Sequence, residues 1–427
     1  FSKAMDTTSV TTNTSNTSCS GTLRVSSDNF SNCVQMASSP SSSNSDKTFT
    51  LDPSDNLTGG TTYKTRVTTG VKDAAGNALS SQYDNSTGFT TASSGTLMGG
   101  SIQGIELSLS TAVTTLAGSS SGSTDATGTS ASFDNPMGIT TDGTNLYVAD
   151  YGNHRIRKIV IDNGTVTTLA GSSSGSTDAT GTSASFDNPM GITTDGTNLY
   201  VADNGNDRIR IIVIDNGTVT TLAGSSQGST DATGTSASFN NPHGITTDGT
   251  NLYVADESNH RIRKIVIDNG TVTTIAGSSQ GYTDATGTSA RFYRPRGITT
   301  DGTNLYVADM YNHRIRKIVI DNGTVTTIAG QSDNGSADGI GTAASFWNPY
   351  QITTDGTNLY VVDGWNNTIR KIVISTGVVT TLAGTGSAGS ANGTGTSASF
   401  RAPRAITTDG NNLYVADGTN HRIRKIE

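Results

Sequence analysis

The sequence predicts an all-β protein in which a small β-sandwich precedes a six-bladed β-propeller. A LYVAD-like motif begins at Leu146 and recurs five more times, at intervals of 53 or 54 residues. Each repeat contains four short strand patterns separated by Gly, Asn and Asp turns, which is typical of one propeller blade. Because only 32% of the 427 residues are hydrophobic, we expect many short strands that each bury a little apolar surface.

Composition limits the classes of partner and the compartment. The net charge of −8 gives no general nucleic-acid-binding surface, and no run approaches the 18 apolar residues of a membrane span. The two cysteines, Cys19 and Cys33, favour a disulfide and an oxidising compartment, with two free thiols as the alternative. With the abundant Ser and Thr, this pattern predicts an extracellular or cell-surface protein.

Residues 1–93 lack the repeat and contain roughly seven short strand patterns, which predicts a β-sandwich. The stretches FSKAMD, LTGGTTYKTRV, VKDAAGNALS and GFTT resemble a bacterial Ig-like domain of surface proteins. That family usually has a further strand before the FSKAMD phrase, whereas this chain begins at Phe1. Either residues upstream supply that strand, or a neighbouring chain completes the open edge. Residues 94–110 are rich in Gly and Ser and are expected to form a linker that packs.

The remaining repeats contain a recurrent Asn-His-Arg phrase, as in Asn153-His154-Arg155 and Asn420-His421-Arg422. On this phrase, residues 111–427 resemble the NHL family, which implies a six-bladed β-propeller. The phase of the repeat predicts closure as well. Residues 111–118 read as an outer strand with no preceding blade, and residues 422–427 read as a third strand with no outer strand after it. Pairing the two would complete the sixth blade and close the ring.

An acid and a base recur in every repeat and predict structural ion pairs. They are Asp150 with Arg157, Asp203 with Arg210, Asp256 with Arg263, Asp309 with Arg316, Asp363 with Arg370, and Asp417 with Arg424. A recurrent Phe before each inner strand, first at Phe133, is expected to anchor the core. An Asp in each of five connecting loops, first at Asp125, offers too few oxygens for Ca²⁺ and is interpreted as a turn former.

One sector of one face departs from the repeat and is the candidate binding face. Its residues are Arg291, Tyr293, Arg294, Arg296, Trp347, Tyr350, Arg401 and Arg404. Neighbouring loops add Tyr151, Tyr311 and Trp365. Arg and aromatic side chains presented by loops are suited to glycans or anionic partners. The alternative is drift on a tolerant loop surface.

The histidines do not predict a metal site. His154, His260, His313 and His421 occupy one repeat position in different blades, too far apart to share an ion. His243 alone is expected near the mouth of the central tunnel. Some propellers of related architecture are lyases with tunnel-mouth His and bound metal, but the equivalent positions here carry no partner His. No metal or cofactor is therefore expected.

Residues 116–150 and 169–203 are identical, which indicates recent duplication of a structural unit. We therefore expect a non-enzymatic extracellular protein. The first hypothesis is a structural or adhesive protein, such as a subunit of a filament or surface assembly, whose partners are other subunits. The second is a recognition module that binds surface glycans or acidic peptides through the candidate face. The third is a metal-dependent lyase, for which His243 would be the test.

Overall fold

A computed structural model describes residues 4–43, 48–51, 53–54, 62–84, 89–90 and 106–427. The chain separates into two compact units, Phe1–Gly95 and Thr96–Glu427. Within those described segments, no helix is long and apolar enough to cross a membrane.

The first unit contains short antiparallel strands held together by two small apolar clusters. The strands are β1 (Leu23–Ser26), β2 (Ser41–Ser43), β3 (Thr48–Thr50), β4 (Thr62–Val67), β5 (Tyr83–Asp84) and β6 (Phe89–Thr90). Strand β4 pairs with β1, β5 and β6, and β2 pairs with β3. Where roughly seven strands are expected, the described residues form these six and several isolated bridges.

Two buried sets of side chains and one disulfide stabilise this unit. Met5, Val10 and Val71 form one cluster, and a second contains Met36 and Tyr63. The predicted disulfide between Cys19 and Cys33 is present in the structure. The expected open edge at Phe1 and most of the predicted linker, residues 94–105, lie outside the described residues.

The second unit repeats one four-stranded antiparallel sheet, here called a repeat sheet. Sheet 1 contains β8 (Pro136–Thr141), β9 (Asn145–Asp150), β10 (Arg155–Val160) and β11 (Val166–Ala170). Sheet 2 contains β12 (Pro189–Thr194), β13 (Asn198–Asp203), β14 (Arg208–Val213) and β15 (Val219–Ala223). Sheet 3 contains β16 (Pro242–Thr247), β17 (Asn251–Asp256), β18 (Arg261–Val266) and β19 (Val272–Ala276).

The later repeats keep the same order. Sheet 4 contains β20 (Pro295–Thr300), β21 (Asn304–Asp309), β22 (Arg314–Val319) and β23 (Val325–Gly330). Sheet 5 contains β25 (Pro349–Thr354), β26 (Asn358–Asp363), β27 (Thr368–Val373) and β28 (Val378–Ala383), with β24 (Gly339–Ile340) at its edge. Sheet 6 contains β30 (Ala405–Thr408), β31 (Leu413–Asp417), β32 (Arg422–Ile426) and β7 (Ala112–Ala117), with β29 (Gly393–Thr394) at its edge.

One-turn 3-10 helices lie between these strands, apart from Thr7–Ser9 in the first unit. Those in the blade-to-blade connections are Gly128–Ser130, Gly181–Ser183, Gly234–Ser236, Gly287–Ser289, Gly341–Ala343 and Gly395–Ser397. Those between the second and third strands are Tyr151–Asn153, Asn204–Asn206, Glu257–Asn259, Met310–Asn312, Gly364–Asn366 and Gly418–Asn420.

The second strand of each sheet is covered on both faces, so its sequence is continuously apolar rather than alternating. In β9, Leu146, Tyr147, Val148 and Ala149 are each 0% exposed. The inner strands of consecutive sheets lie side by side, and β30 of sheet 6 lies beside β8 of sheet 1. The outer strands face solvent on one side, and Val166 and Ala170 at the two ends of β11 are buried.

Sheet 6 is built from both ends of the second unit. Strand β7 pairs antiparallel with β32, with Val113 opposite Ile426. The Thr111 backbone N–H donates to the carbonyl of Glu427 at 2.6 Å. Just before β7, Leu107 is buried, and its N–H donates to the carboxylate of Asp355 at 3.1 Å.

Candidate functional site

A buried Arg–Asp ion pair lies at the same place in all six repeat sheets. In sheet 1, Arg157 donates to Asp150 at 2.7 Å, and both side chains are 0% exposed. The guanidinium carbon of Arg157 lies 5.1 Å from the ring centroid of Phe133. The other pairs are Arg210–Asp203, Arg263–Asp256, Arg316–Asp309, Arg370–Asp363 and Arg424–Asp417. Full burial and sixfold repetition give these residues a structural role.

The recurrent Asp of the connecting loops, first at Asp125, is a second carboxylate partner of the buried Arg. Its interpretation as a turn former is therefore corrected. Arg157 donates to Asp125 at 2.6 Å. The other oxygen of Asp125 accepts the N–H of Thr168, in the outer strand, at 2.9 Å. One Arg therefore ties the second and third strands to a distant connecting loop. In sheet 6 the amide oxygen of Asn392 replaces this carboxylate and accepts from Arg424 at 2.9 Å.

The recurrent His joins consecutive sheets. His154 has a left-handed backbone with φ 54°, and its Nδ1 accepts the N–H of Asn188 in the next repeat at 3.1 Å. His421 likewise accepts the N–H of Asn135, in the first repeat, at 3.1 Å. Where His is replaced, the oxygens of Asp207 and Asn367 accept the equivalent bond. These three residue types tolerate left-handed backbone and carry an acceptor.

Each repeat has one residue at the same position near the start of its inner strand. This residue comes directly after a Pro that either begins the strand or precedes it. These residues are Met137, Met190, His243, Arg296, Tyr350 and Arg404. Three of them bring charge and an aromatic ring together. The guanidinium carbons of Arg296 and Arg404 lie 4.5 and 4.7 Å from the ring centroid of Tyr350. We call His243, Arg296, Tyr350 and Arg404 the central cluster.

The expectation that Tyr350 is exposed on the candidate binding face is corrected, because the residue is buried. It is 2% exposed, because it follows the first residue of strand β25 and is covered by the two arginines from the sheets on either side. It also packs into the apolar cluster that contains Met137 and Met310. The ring therefore supports the guanidinium groups instead of being presented to solvent.

The positive charges of the central cluster are only partly neutralised. The buried Glu257 accepts from Arg296 at 3.1 Å and lies 3.5 Å from Arg294. Among the described residues, no carboxylate forms an ion pair with Arg404. Glu257 is a residue of the candidate site that sequence reasoning missed, although it is the only acid directly after a LYVAD motif.

His243 is the most buried polar member of the central cluster. It is 1% exposed, and its ring lies edge-on to Tyr350 with the centroids 5.3 Å apart. Within the part of the chain that the structure describes, neither ring nitrogen has a hydrogen-bond partner. Burial, followed by the charges of Arg296 and Arg404, lowers the pKa of His243 well below its usual range. The imidazole is therefore neutral at physiological pH.

Two aromatic pairs lie in the fourth and fifth repeats, whose residues Arg296 and Tyr350 belong to the central cluster. Tyr293 contacts Tyr311 with ring centroids 5.1 Å apart, and Trp347 contacts Trp365 at 5.5 Å. Tyr311 and Trp365 are 39% and 54% exposed. In each pair, the N–H of the second residue donates to the carbonyl of the first, which fixes the two side chains next to one another.

In the first repeat, neither position of the aromatic pair carries an aromatic residue. There they are Asp134 and Gly152, and a Cβ on Gly152 would lie 2.6 Å from the Asp134 carboxylate. A side chain at the second position therefore needs a different residue at the first. The aromatic pairs replace both members at once.

The remaining predicted face residues lie outside the central cluster. Arg291 and Arg401 are exposed, and the carbonyl of Arg291 accepts from Arg316. Arg294 is half-exposed, and its guanidinium carbon lies 5.7 Å from the ring centroid of Tyr311. Tyr151 is half-buried against the apolar cluster that contains Tyr350. The face thus divides into a central cluster, two aromatic pairs and an exposed rim.

In the parts of the chain that the structure describes, no group of three or more His, Cys, Asp or Glu side chains is arranged to hold a metal ion. His243 faces guanidinium groups and a phenol ring, which are not metal ligands of the usual kind.

Comparison with protein families finds one match in each unit. The model of the bacterial Ig-like domain family matches residues 1–91, and the model of the NHL repeat family matches residues 239–265. NHL repeat-containing protein 2 of Bos taurus is 29% identical over 336 residues, which cover 68% of this chain and 46% of the relative. Its counterpart from Homo sapiens is 28% identical over 324 residues, covering 66% and 44%. The chain spans about half the length of these curated relatives.

Solved structures share the fold at low sequence identity. A structural genomics protein of unknown function from Bacteroides thetaiotaomicron VPI-5482 has a TM-score of 0.58 and 22% identity, and the match covers 95% of this chain and 90% of that one. An auxiliary nutrient binding protein from the same bacterium has a TM-score of 0.56 and 16% identity, with the same coverage. On these matches, the first unit is similar to bacterial Ig-like domains, and the second unit has a β-propeller fold and is similar to NHL-repeat proteins.

Proposed function

We propose that this protein is a non-catalytic binding module whose central cluster receives an acidic group of its ligand. One observation carries the proposal. Arg296 and Arg404 lie against one buried ring, and Glu257 is the single carboxylate among the described residues that pairs with the cluster. The cluster therefore combines three features of an anion site: excess positive charge, rigid placement and partial exclusion of water.

The energetic argument follows from the partners of each arginine. A guanidinium that is partly removed from water and lacks a carboxylate is costly. Arg404 is in that position, since the described contacts give it only the ring of Tyr350. A ligand carboxylate, sulfate or phosphate would supply bidentate, charge-assisted hydrogen bonds. Stacking on Tyr350 restricts both arginines beforehand, which reduces the entropy lost on binding.

The aromatic pairs extend this surface toward larger ligands. Tyr311 and Trp365 expose their rings on loops of sheets 4 and 5, and exposed aromatic rings provide rigid apolar contact area. An acidic oligosaccharide fits both features, and an acidic peptide is the alternative. Proteins of the same fold include ones called auxiliary nutrient binding proteins, so a binding role has precedent in this architecture.

The proposal includes a closed ring of six blades. Each repeat sheet would be one blade, and the pairing of β7 with β32 would close the sixth. Two further contacts between the last and first repeats support closure: β30 lies beside β8, and His421 accepts the N–H of Asn135. A closed ring would hold the residues of the central cluster around one axis without exposing sheet edges.

An extracellular or cell-surface location is part of the same proposal. The Cys19–Cys33 disulfide is typical of an oxidising compartment, and an acidic glycan would be encountered there. The non-catalytic character is supported by the environment of His243, which contacts no carboxylate that could orient it as a base.

Binding assays with Arg404→Ala test the function. The probes are oligogalacturonate, as an acidic oligosaccharide, and poly-glutamate peptide, measured by calorimetry at low and physiological salt. The loss of one charge-assisted contact is expected to weaken binding at least ~10-fold. Arg401→Ala is the matched control, because Arg401 is exposed in the same repeat and belongs to no contact of the cluster. Equal affinities for both variants, or no binding of either probe by the native chain, would contradict the proposal.

A further inference from the structure

The fifth repeat lacks a side chain that the others share. The third strand begins with Arg in five repeats, at Arg155, Arg208, Arg261, Arg314 and Arg422. In sheet 5 the residue at this position is Thr368. A long cationic side chain is thus replaced by a short hydroxyl group at one place in the ring of repeats.

The role of the missing Arg is visible in the other sheets. Arg422 donates to the carbonyl of Ser390 in the connecting loop at 3.2 Å, and Arg261 donates to Ser229 at 3.3 Å. Both serines are half-buried. The equivalent residue of the fifth repeat, Ser336, is exposed, because no Arg covers it.

A cavity occupies this part of sheet 5. Its volume is about 480 Å³, and its walls include Ser336, Asn366, Thr368, Thr381, Thr385 and Thr396 together with two glycines. That volume lies within the usual range of small-molecule sites. No charged side chain lines it.

The deepest of these groups has no partner. Thr368 is 5% exposed, and among the described residues its hydroxyl has no hydrogen-bond partner. That oxygen is itself buried, so hydrogen bonds to an occupant would come from the other wall residues.

The chemistry of the walls selects a neutral occupant. Thr381 donates to the carboxylate of Asp338 at 3.1 Å, so negative charge already lies behind one wall and disfavours an anion. The lining offers hydroxyl, amide and backbone groups, which match a ligand rich in hydroxyls.

We propose that the cavity left by the Arg-to-Thr replacement at Thr368 is a second binding site, which takes a neutral sugar residue. It shares no residue with the central cluster, so it stands whether or not the central cluster binds an acidic group. In the other repeats an Arg at this position reaches the connecting loop: four of them donate to a Ser carbonyl there, and Arg314 stacks on Tyr282.

Saturation-transfer NMR on the full chain tests this site, with glucose, galactose, mannose and N-acetylglucosamine as probes. The native chain is expected to transfer saturation to at least one of them. Thr368→Arg restores the residue of the other repeats, should fold normally, and is expected to abolish the signal. Thr368→Val keeps the shape of the cavity and removes only a buried hydroxyl, so it is the matched control and is expected to retain the signal.

Two results would overturn the proposal. Absence of transfer to all four sugars from the native chain would show that the cavity holds water only. An unchanged signal in Thr368→Arg would place the sugar elsewhere. Arg404→Ala separates this site from the proposed acidic site, since it should leave the transfer of saturation to neutral sugars unaltered.

Discussion

Replacing Asp309 by Asn should destabilise the propeller strongly, because the buried carboxylate satisfies three donors. One oxygen of Asp309 accepts from Arg316 at 2.7 Å and from Asn312 at 2.7 Å. The other accepts the backbone N–H of Tyr293 at 2.8 Å. An amide has one acceptor oxygen, so either orientation of Asn places its NH₂ group against a donor.

The expected cost follows from burial. Both Asp309 and Arg316 are 0% exposed, and breaking a buried pair by neutralising one partner typically costs about 3–5 kcal/mol. Arg316 keeps its contact with Asp284 at 2.6 Å, which places the expectation at the lower end, at about 3 kcal/mol.

The chain supplies its own control in the second carboxylate of the same Arg. Asp284 is 44% exposed, and the sixth repeat already uses Asn392 at the equivalent position. Asp284→Asn should therefore cost no more than about 1 kcal/mol. Each variant removes one negative charge that pairs with Arg316, and the two positions differ in burial.

Guanidinium unfolding monitored by tryptophan fluorescence measures the difference. The chain has two tryptophans, Trp347 and Trp365, both in the repeats, so the signal reports on the propeller alone. Burial raises the pKa of Asp309 to about 6, so measurements at about pH 8 keep the carboxylate ionised. Equal losses of unfolding free energy in the two variants would refute the argument that burial sets the worth of the pair.

Three further predictions concern pH, the disulfide and assembly. Burial lowers the folded-state pKa of His243, so the unfolded chain takes up its proton more readily and acidification favours unfolding. Below about pH 6.5 the native chain should lose up to ~1.4 kcal/mol per pH unit relative to His243→Met, which carries the residue of Met137 and Met190; parallel stability curves between pH 7.5 and 5.5 would contradict this. Replacing Cys19 and Cys33 by Ser should destabilise the Ig-like unit by about 3 kcal/mol for a loop of this length, seen as faster hydrogen exchange in residues 4–84 with an unchanged tryptophan transition. If the protein has the structural role first expected, electron microscopy of the chain without ligand should show filaments or lattices, and dispersed particles would exclude such assembly under those conditions.

The repeated elements were predictable because their signals are local. Each strand is a short apolar run bounded by Gly, Asn or Asp, and the period of 53 or 54 residues places the same four strands in every repeat. The Asp and Arg that never change also indicated a structural contact, since six equivalent copies are ill-suited to a single catalytic site.

Contacts between distant loops were not predictable from the same signals. Asp125 lies 32 positions from Arg157, and nothing in the spacing shows that the connecting loop returns to the third strand. The role of His154 could have been predicted from the sequence. The equivalent residues of two other repeats, Asp207 and Asn367, share with His a hydrogen-bond acceptor and a tolerance of left-handed backbone. That signal lies in the exceptions to the motif and not in the motif itself.

By itself, the sequence determined the class of fold, the repeat and the side chains that depart from it, because these depend on local pattern and on comparison of one repeat with another. The tertiary structure decided which of those departures act together. It buried Tyr350 between Arg296 and Arg404, set Glu257 beside one of them, and left a cavity at Thr368. These outcomes depend on residues from different repeats meeting in space, and their distances are set by the packing of whole sheets.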